Sequence, residues 1–244
     1  MTLDTTWLGW RARDLDLAYL PFIRGLGIAQ YTSDPVFTAM LSEPLDGPPA
    51  GKPPVNLRTI AAAAKMIRAY PGRLPDKLRS GAPRAAVQRF LAIFSRPSLT
   101  WDNLGFLKEL TSLPILLKGI QHADDAREAV ARGMDGVVVS NHGGRQVDGA
   151  IGSLDALRGV VNAVNGRIPV LFDSGIRGGA DIFKALALGA TAVCIGRPYV
   201  YGLAIAGEEG VREVIRNMIA ELDLTMALSG HSRLDQLTPD SLVE

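Results

Sequence analysis

Basic side chains and glycines cluster in four short stretches in the second half of the chain, each directly after an apolar run. The stretches are Lys118 with Gly119, residues 140–146 (Ser-Asn-His-Gly-Gly-Arg-Gln), residues 173–179 (Asp-Ser-Gly-Ile-Arg-Gly-Gly) and Gly196 with Arg197. A histidine titrates near neutral pH and can accept a proton, and a guanidinium binds a carboxylate through two parallel hydrogen bonds. Glycines let a ligand approach the backbone closely. These stretches predict a site that binds an anionic substrate and removes a proton from it.

His142 is the strongest candidate base because it stands between an apolar run and a Gly-Gly turn, three residues before Arg145. We expect His122 and His231 to be surface residues. A single loop histidine is more often structural, and a lysine after a strand is more often only solvated. Lys118 is favoured as a candidate because it follows four apolar residues, and His142 because a glycine-rich loop lets backbone and substrate approach closely.

Glycines and arginines in the last two stretches predict a phosphate site. Gly175, Arg177, Gly196 and Arg197 supply flexible backbone and delocalised cations, which suit a phosphate dianion at the start of a helix. The same glycines would also serve in ordinary tight turns. The sequence has neither a Walker P-loop nor a Gly-x-Gly-x-x-Gly fingerprint, so it does not predict a nucleoside triphosphate or NAD as ligand.

Short apolar runs alternate with helical patterns after residue 113, which predicts parallel βα units and an α/β fold. The expected strands are residues 114–119, 136–141, 168–173 and 192–196, and the expected helices are 123–132, 154–164, 180–188 and 210–228. In such folds functional residues collect at the carboxyl ends of the strands. All four candidate stretches lie at these ends.

The composition excludes several other classes of protein. The 244 residues carry 26 basic and 25 acidic side chains and are 47% hydrophobic, which argues against an electrostatic nucleic-acid binder and against a disordered chain. No apolar run approaches the roughly 18 residues of a membrane span. We expect a cytoplasmic protein with no membrane or metal partner. We also expect its one cysteine, Cys194, to be buried.

The first hundred residues are less regular. Prolines are dense between residues 44 and 54, which prevents a regular helix or a central strand there. Residues 57–70 and 83–94 can each form a short helix. We expect one domain over residues 1–244, with 20–97 as a long mobile excursion and 98–244 as regular βα units.

Together these motifs resemble the FMN-dependent 2-hydroxy acid oxidase and dehydrogenase family. The resemblance rests on residues 117–119, 140–146, 173–177 and 195–198, and upstream on 2–5 and 8–14. It implies a (β/α)8 TIM-barrel type of fold that is incomplete: strands 4 to 8 with a long loop after strand 4, and the N-terminal strands missing. Features at residues 9–11, 22–37 and 118–122 favour the lactate 2-monooxygenase subgroup within the family.

The resemblance also implies roles for individual residues. His142 would act as the base, and Asp4 would orient it and support its imidazolium form. Arg11 and Arg145 would bind the substrate carboxylate. The residues implied to bind the cofactor FMN are Thr2, Lys118, Ser140, Asp173, Ser174, Gly175, Ile176, Arg177, Gly196 and Arg197.

Three functions stay open at this point. The chain would oxidise L-lactate with O2 to acetate, CO2 and water as a monooxygenase, or would act as an oxidase or dehydrogenase that releases the keto acid, or would be a non-catalytic remnant. A different FMN or phosphate-binding barrel is a weaker alternative, since it would not need residues 140–146. Five strands cannot close an eight-stranded barrel, so we expect a complementing N-terminal segment. The resemblance also implies a homo-oligomer for the complete enzyme.

Overall fold

The computed structural model describes residues 1–17, 19–45 and 55–243. Its contacts divide the chain into two compact units, one of Arg11–Pro97 and one of Met1–Trp10 with Ser98–Glu244. Each unit has a hydrophobic core of its own.

The unit Arg11–Pro97 is helical throughout its described part. Its α-helices are α1 (Ala12–Asp16), α2 (Ala29–Thr32), α3 (Pro35–Ala39), α4 (Leu57–Ala69), α5 (Leu74–Ser80) and α6 (Ala82–Ile93). Helices α4 and α6 confirm the two helices predicted here. Phe90 is buried at the centre, with its ring 5.0–5.1 Å from those of Phe22, Tyr31 and Phe94. Most of the proline-rich stretch, residues 46–54, lies outside the described residues.

The other unit is an α/β layer in which strands and helices alternate. After α7 (Leu104–Leu110) come β1 (Leu116–Ile120), α8 (Ala123–Ala131), β2 (Gly136–Val139), α9 (Ser153–Val164), β3 (Val170–Phe172), α10 (Gly179–Ala187), β4 (Ala192–Val193) and α11 (Arg197–Leu228). The strands are parallel and lie in the order β1-β2-β3-β4. The predicted alternation of strands and helices is confirmed.

The core of this unit forms where the apolar strands meet the helices. Leu117, Val137 and Phe172 from three successive strands are almost completely buried with Leu157 and Val160 of α9. All four residues of β2 are buried, as expected for a central parallel strand covered on both faces. This packing fixes the carboxyl ends of the strands relative to one another.

The N-terminal residues run beside β1 in the parallel direction. The Leu3 amide donates to the Lys118 carbonyl and the Lys118 amide donates to the Met1 carbonyl, each at 2.8 Å. Thr2 and Lys118 form an isolated parallel bridge. The arrangement matches part of a barrel, while the assignment of these segments to barrel strands 4 to 8 stays a prediction.

Two local expectations change. Cys194 is exposed rather than buried, because it follows the two-residue strand β4 and no strand among the described residues pairs with the outer side of β4. The predicted helix 210–228 is the second part of α11, which is interrupted at Ala206 and Gly207. No helix in the described ranges is both long enough and apolar enough to cross a membrane.

Candidate active site at the carboxyl ends of the strands

Lys118 and Asp173 meet beneath the carboxyl ends of the strands. The Lys118 Nζ lies 3.1 Å from Asp173 Oδ2 and donates to Ser140 Oγ at 2.8 Å. The other oxygen of Asp173 accepts a hydrogen bond from Ser174 Oγ at 2.7 Å. The ends of three successive strands thus contribute to one polar cluster, and the ammonium group is held in place by Ser140 and Asp173, which directly follow β2 and β3.

Two serines hold the loop that carries His142. Ser140, which is fully buried, accepts from the His142 amide at 3.1 Å, and Ser174 accepts from the Gly143 amide at 3.0 Å. His142 has a φ of 56°, a left-handed conformation that few non-glycine residues adopt. Such strained residues are frequent at functional sites, where the surrounding contacts maintain them.

Asp4 pairs with the imidazole of His142. The Asp4 Oδ1 lies 3.2 Å from His142 Nδ1, and the exposed fractions of the two side chains are 10% and 29%. When Nδ1 carries the hydrogen of this bond, Nε2 carries the lone pair and can accept a proton. The arrangement therefore suits an oriented general base, with the carboxylate stabilising the imidazolium that forms.

A cleft of about 270 Å³ opens beside this pair, slightly below the range of about 300–1,000 Å³ typical of small-molecule sites. Four cationic side chains and one carboxylate line it, so its charge favours an anionic ligand. The lining residues are Lys118, His142, Gly143, Arg145, Asp173, Ser174, Gly175, Ile176, Arg177, Cys194, Ile195, Gly196 and Arg197.

Arg177 and Arg197 supply the charge at the end of the cleft formed by the last two loops. Arg197 donates to the Gly143 carbonyl at 2.8 Å, which ties the last strand end to the His142 loop. A Cβ added at Gly175 or Gly196 would have no neighbour within 4 Å, so these glycines leave open space for a ligand.

The first backbone amides of α10 are already hydrogen-bonded. Asp181 accepts from the Arg177 and Gly178 amides at 2.8 and 3.2 Å, and Glu221 accepts from the Gly179 amide at 2.8 Å. The sequence suggested that such amides would hold a phosphate. Because two carboxylates occupy them, a phosphate here would depend on the guanidinium groups and on the loop glycines.

Most of the sequence-predicted site residues come together. Ten of them line the cleft: Lys118, His142, Arg145, Asp173, Ser174, Gly175, Ile176, Arg177, Gly196 and Arg197. Asp4 and Ser140 support lining residues from behind, and Thr2 pairs with β1. Arg11 belongs to the other compact unit, so its binding of a substrate carboxylate stays a prediction. The FMN contacts of Thr2, of Ser140 and of the lining residues also stay predictions.

Sequence reasoning assigned no role to Gly9, Gly119 or Gln146, although each touches the Asp4–His142 region. A glycine inside an apolar strand often marks a bulge or a close approach of another segment. That signal was present at Gly119, where the register of β1 with β2 shifts. Gly9 and Gln146 carry no comparable local signal.

The sequence profile of the family described as FMN-dependent dehydrogenase matches residues 1–244. The chain belongs to the FMN-dependent dehydrogenase family. It is 42% identical over 244 residues to an L-lactate oxidase from Lysinibacillus sphaericus (strain C3-41), covering 100% of this chain and 54% of that protein. It is 54% identical over 134 residues to 2-hydroxyacid oxidase 1 from Mus musculus, covering 55% of this chain and 36% of that protein.

Solved structures of mandelate oxidases contain a similar fold. One is the crystal structure of a mandelate oxidase mutant with 4-Br-2-hydroxy-methylphenylacetate. The match covers 97% of this FMN-dependent dehydrogenase chain and 52% of the mandelate oxidase chain, with a TM-score of 0.64 and 32% identity. Another mandelate oxidase structure, with the monooxide FMN adduct, matches 60% of this chain with a TM-score of 0.57 and 45% identity. The chain spans about half the length of the relatives that it matches.

FMN is the cofactor of this family, and the cleft fits it. The excess of guanidinium groups suits the phosphate, and the open space at Gly175 and Gly196 admits a ligand against the backbone. Lys118, held by Asp173 and Ser140, is a fixed cation in the cleft and would stabilise negative charge on a reduced ring bound next to it. The residues that would hold FMN are those of the last two loops together with Lys118.

Proposed function

We propose that this chain supplies the base and much of the FMN site of an enzyme that oxidises an L-2-hydroxy acid, with L-lactate as the first substrate to test. The observation that carries the proposal is the Asp4–His142 pair, 3.2 Å apart, at the wall of a cationic cleft. The names of the relatives, L-lactate oxidase and 2-hydroxyacid oxidase, support the same substrate class.

In this proposal His142 accepts the proton of the substrate hydroxyl at Nε2 while Asp4 holds Nδ1. Arg145, which lines the cleft three residues from His142, binds the substrate carboxylate. FMN, when bound, accepts the two electrons of the oxidation. The substrate loses its hydroxyl proton to His142, and the hydrogen on C2 leaves with the two electrons to the same electron acceptor, so the substrate becomes the 2-keto acid.

We favour an oxidase reaction over a monooxygenase reaction, because neither relative described above is named a monooxygenase. An oxidase releases pyruvate and hydrogen peroxide from L-lactate, whereas a monooxygenase yields acetate and CO2. Product analysis in air separates the two. Acetate as the main product would instead favour the monooxygenase reaction.

The test of the base is His142→Ala. The chain is supplied with FMN and with the N-terminal half of the L-lactate oxidase relative, and the absorbance of oxidised flavin is followed after anaerobic addition of L-lactate. General bases contribute about 10²–10⁴-fold to rate, so flavin reduction should slow by that factor.

His122→Asn is the matched control. His122 is exposed and caps α8 through its Nδ1, a role that an asparagine side chain also fills. We expect this variant to reduce flavin at the unchanged rate. Equal rates for His142→Ala and the unsubstituted chain would remove His142 from the base role, and no reduction by the unsubstituted complex would favour a non-catalytic remnant.

A further inference from the structure

The side-chain amide of Gln146 joins two segments that are far apart in sequence. Its Nε2 donates to the backbone carbonyl of Asp4 at 2.6 Å and to that of Trp7 at 2.9 Å. Both partners are carbonyl oxygens, which only accept hydrogen bonds, so the amide nitrogen must face them. Gln146 therefore ties the segment that carries Asp4 to the loop that carries His142.

A second contact between these segments involves Gly9. A Cβ added at Gly9 would lie 2.4 Å from the Arg145 carbonyl oxygen and 2.8 Å from the Gln146 Cα. The backbone of Gly9 thus packs directly against the backbone of the loop. Only a residue without a side chain allows so close an approach.

The two contacts hold Asp4 where it meets the imidazole. Gln146 fixes the Asp4 backbone from one side, and the Asp4 side chain packs against Gly119 on the other. Within the described residues, the Asp4 carboxylate has one hydrogen-bond partner, His142, because its Oδ2 is buried without any. The position of the carboxylate thus depends on its backbone being held.

We propose that Gln146 is a positioning residue that places Asp4 against His142 and so determines which ring nitrogen carries the proton. The inference rests on the proposed function for its catalytic meaning, but its structural content is independent of FMN and substrate. With Gln146 in place, Nδ1 carries the hydrogen and Nε2 is the acceptor. Without it, Asp4 moves away and the neutral ring exchanges between its two tautomers.

The test uses the full 244-residue chain labelled with ¹⁵N and substituted Gln146→Met, which keeps the length of the side chain and removes both donors. Long-range ¹H–¹⁵N spectra report the tautomer of each neutral histidine, and the His142 signals are assigned by their loss in His142→Ala. We expect the Nδ1–H tautomer in the unsubstituted chain and a mixture in Gln146→Met, as in Asp4→Ala. His142 signals that do not change in Gln146→Met would overturn the proposal.

Two further variants keep the test decisive. Gln30→Met, at an exposed glutamine of the helical unit, should leave the His142 signals unchanged. Gly9→Ala separates the same segments while keeping the Gln146 donors, so it should reproduce the tautomer mixture even if Gln146→Met does not fold. A pure Nδ1–H tautomer in Gly9→Ala would contradict the proposal.

A kinetic readout then connects the tautomer to activity. In the complex with FMN and the N-terminal half of the relative, Gln146→Met should slow flavin reduction by up to about a hundredfold, because small displacements of a catalytic group cost that much. A tautomer mixture without slower reduction would uphold the positioning of Asp4 and refute the base role of His142. The tautomer spectra therefore test the positioning by Gln146, and the rate of flavin reduction tests the proposed function separately.

Discussion

Charge around individual residues determines what the cleft can bind. Lys118, Arg145, Arg177 and Arg197 face a single lining carboxylate, Asp173. Asp173 is paired with Lys118 at 3.1 Å, and the three arginines belong to different loops of the cleft. A phosphate and a substrate carboxylate would be attracted to different arginines, since Arg145 lies in the His142 loop and Arg177 and Arg197 lie in the last two loops.

The thiol of Cys194 can serve as a chemical probe of the cleft, because Cys194 is one of the lining residues. Although Cys194 is exposed by its surface area, the surrounding protein atoms partly desolvate its thiol and raise the pKa above its ordinary value, Asp173 raises it further, and Lys118 acts in the opposite direction. Since the thiolate is the reactive form, alkylation by iodoacetamide near pH 8 should be slower in the folded chain than in urea, and should increase only as the pH rises above the ordinary thiol pKa.

The raised pKa means that the folded state favours the neutral thiol. Its contribution to stability is therefore fully present below the pKa of the unfolded chain and is lost as the pH rises through the folded pKa. FMN bound in the cleft should slow the alkylation further. Mass spectrometry of the alkylated chain measures the alkylation rate of Cys194 against pH in the folded and the unfolded chain. Identical pH profiles of the two rates would refute the raised pKa.

At the scale of elements, the bulge in β1 is what lets the N-terminal segment reach the base. Gly119 has a φ of 103°, and a Cβ there would lie 2.8 Å from the Asp4 Cβ. The register of β1 with β2 shifts between Lys118 and Ile120. One glycine thus turns the strand end and leaves room for the carboxylate that pairs with His142.

Gly119→Ala should both destabilise the chain and displace Asp4. Strained backbone of this kind costs about 1–3 kcal/mol for a non-glycine residue, which urea unfolding measures. Gly166→Ala is the matched control, because Gly166 also has a positive φ, 70°, but a Cβ there would meet nothing within 4 Å.

We expect both glycine variants to lose stability and only Gly119→Ala to change the His142 ¹⁵N signals and to slow flavin reduction. If Gly166→Ala changed the His142 signals equally, the effect would come from general destabilisation. If neither variant did, the contact between Gly119 and Asp4 would have no role in positioning the base.

At the scale of the whole molecule, the described strands form an open layer. Four parallel strands and the N-terminal bridge do not make a closed eight-stranded barrel. Several apolar side chains of the first part of α11 are exposed, among them Tyr201, Leu203 and Ile205. Exposed apolar groups of this kind favour association. The homo-oligomer and the complementing N-terminal segment stay predictions.

We predict that FMN binds weakly to the 244-residue chain alone. Each hydrogen bond to a charged group contributes about 1.5–3 kcal/mol, so a single such contact supplied by the part of a relative that this chain does not cover would strengthen binding by about tenfold or more. Quenching of flavin fluorescence measures the Kd, with and without the N-terminal half of the L-lactate oxidase relative. Arg197→Ala should weaken binding in both cases, and a tight one-to-one complex of the chain alone would contradict the prediction.

Local patterns predicted the elements of the α/β unit closely. The expected helix 154–164 is Ser153–Val164, and the expected helix 123–132 is Ala123–Ala131. The strands came out shorter than expected, with 192–196 reduced to Ala192–Val193. Helices follow from periodicity and capping along one segment, whereas the length of a strand depends on its partners.

The sequence by itself determined the order of strands and helices, the residues at each strand end and the family. It did so because these properties depend on residues close together along the chain. The pairing of Asp4 with His142 joins positions 138 residues apart, and the capping of α10 by Glu221 joins positions 42 apart. The family resemblance implied the pairing of Asp4 with His142, but only the tertiary structure decided its geometry, which follows from strand register, from the bulge at Gly119 and from the close packing of Gly9. The Glu221 contact follows from the packing of α11 against α10, which no local pattern encodes.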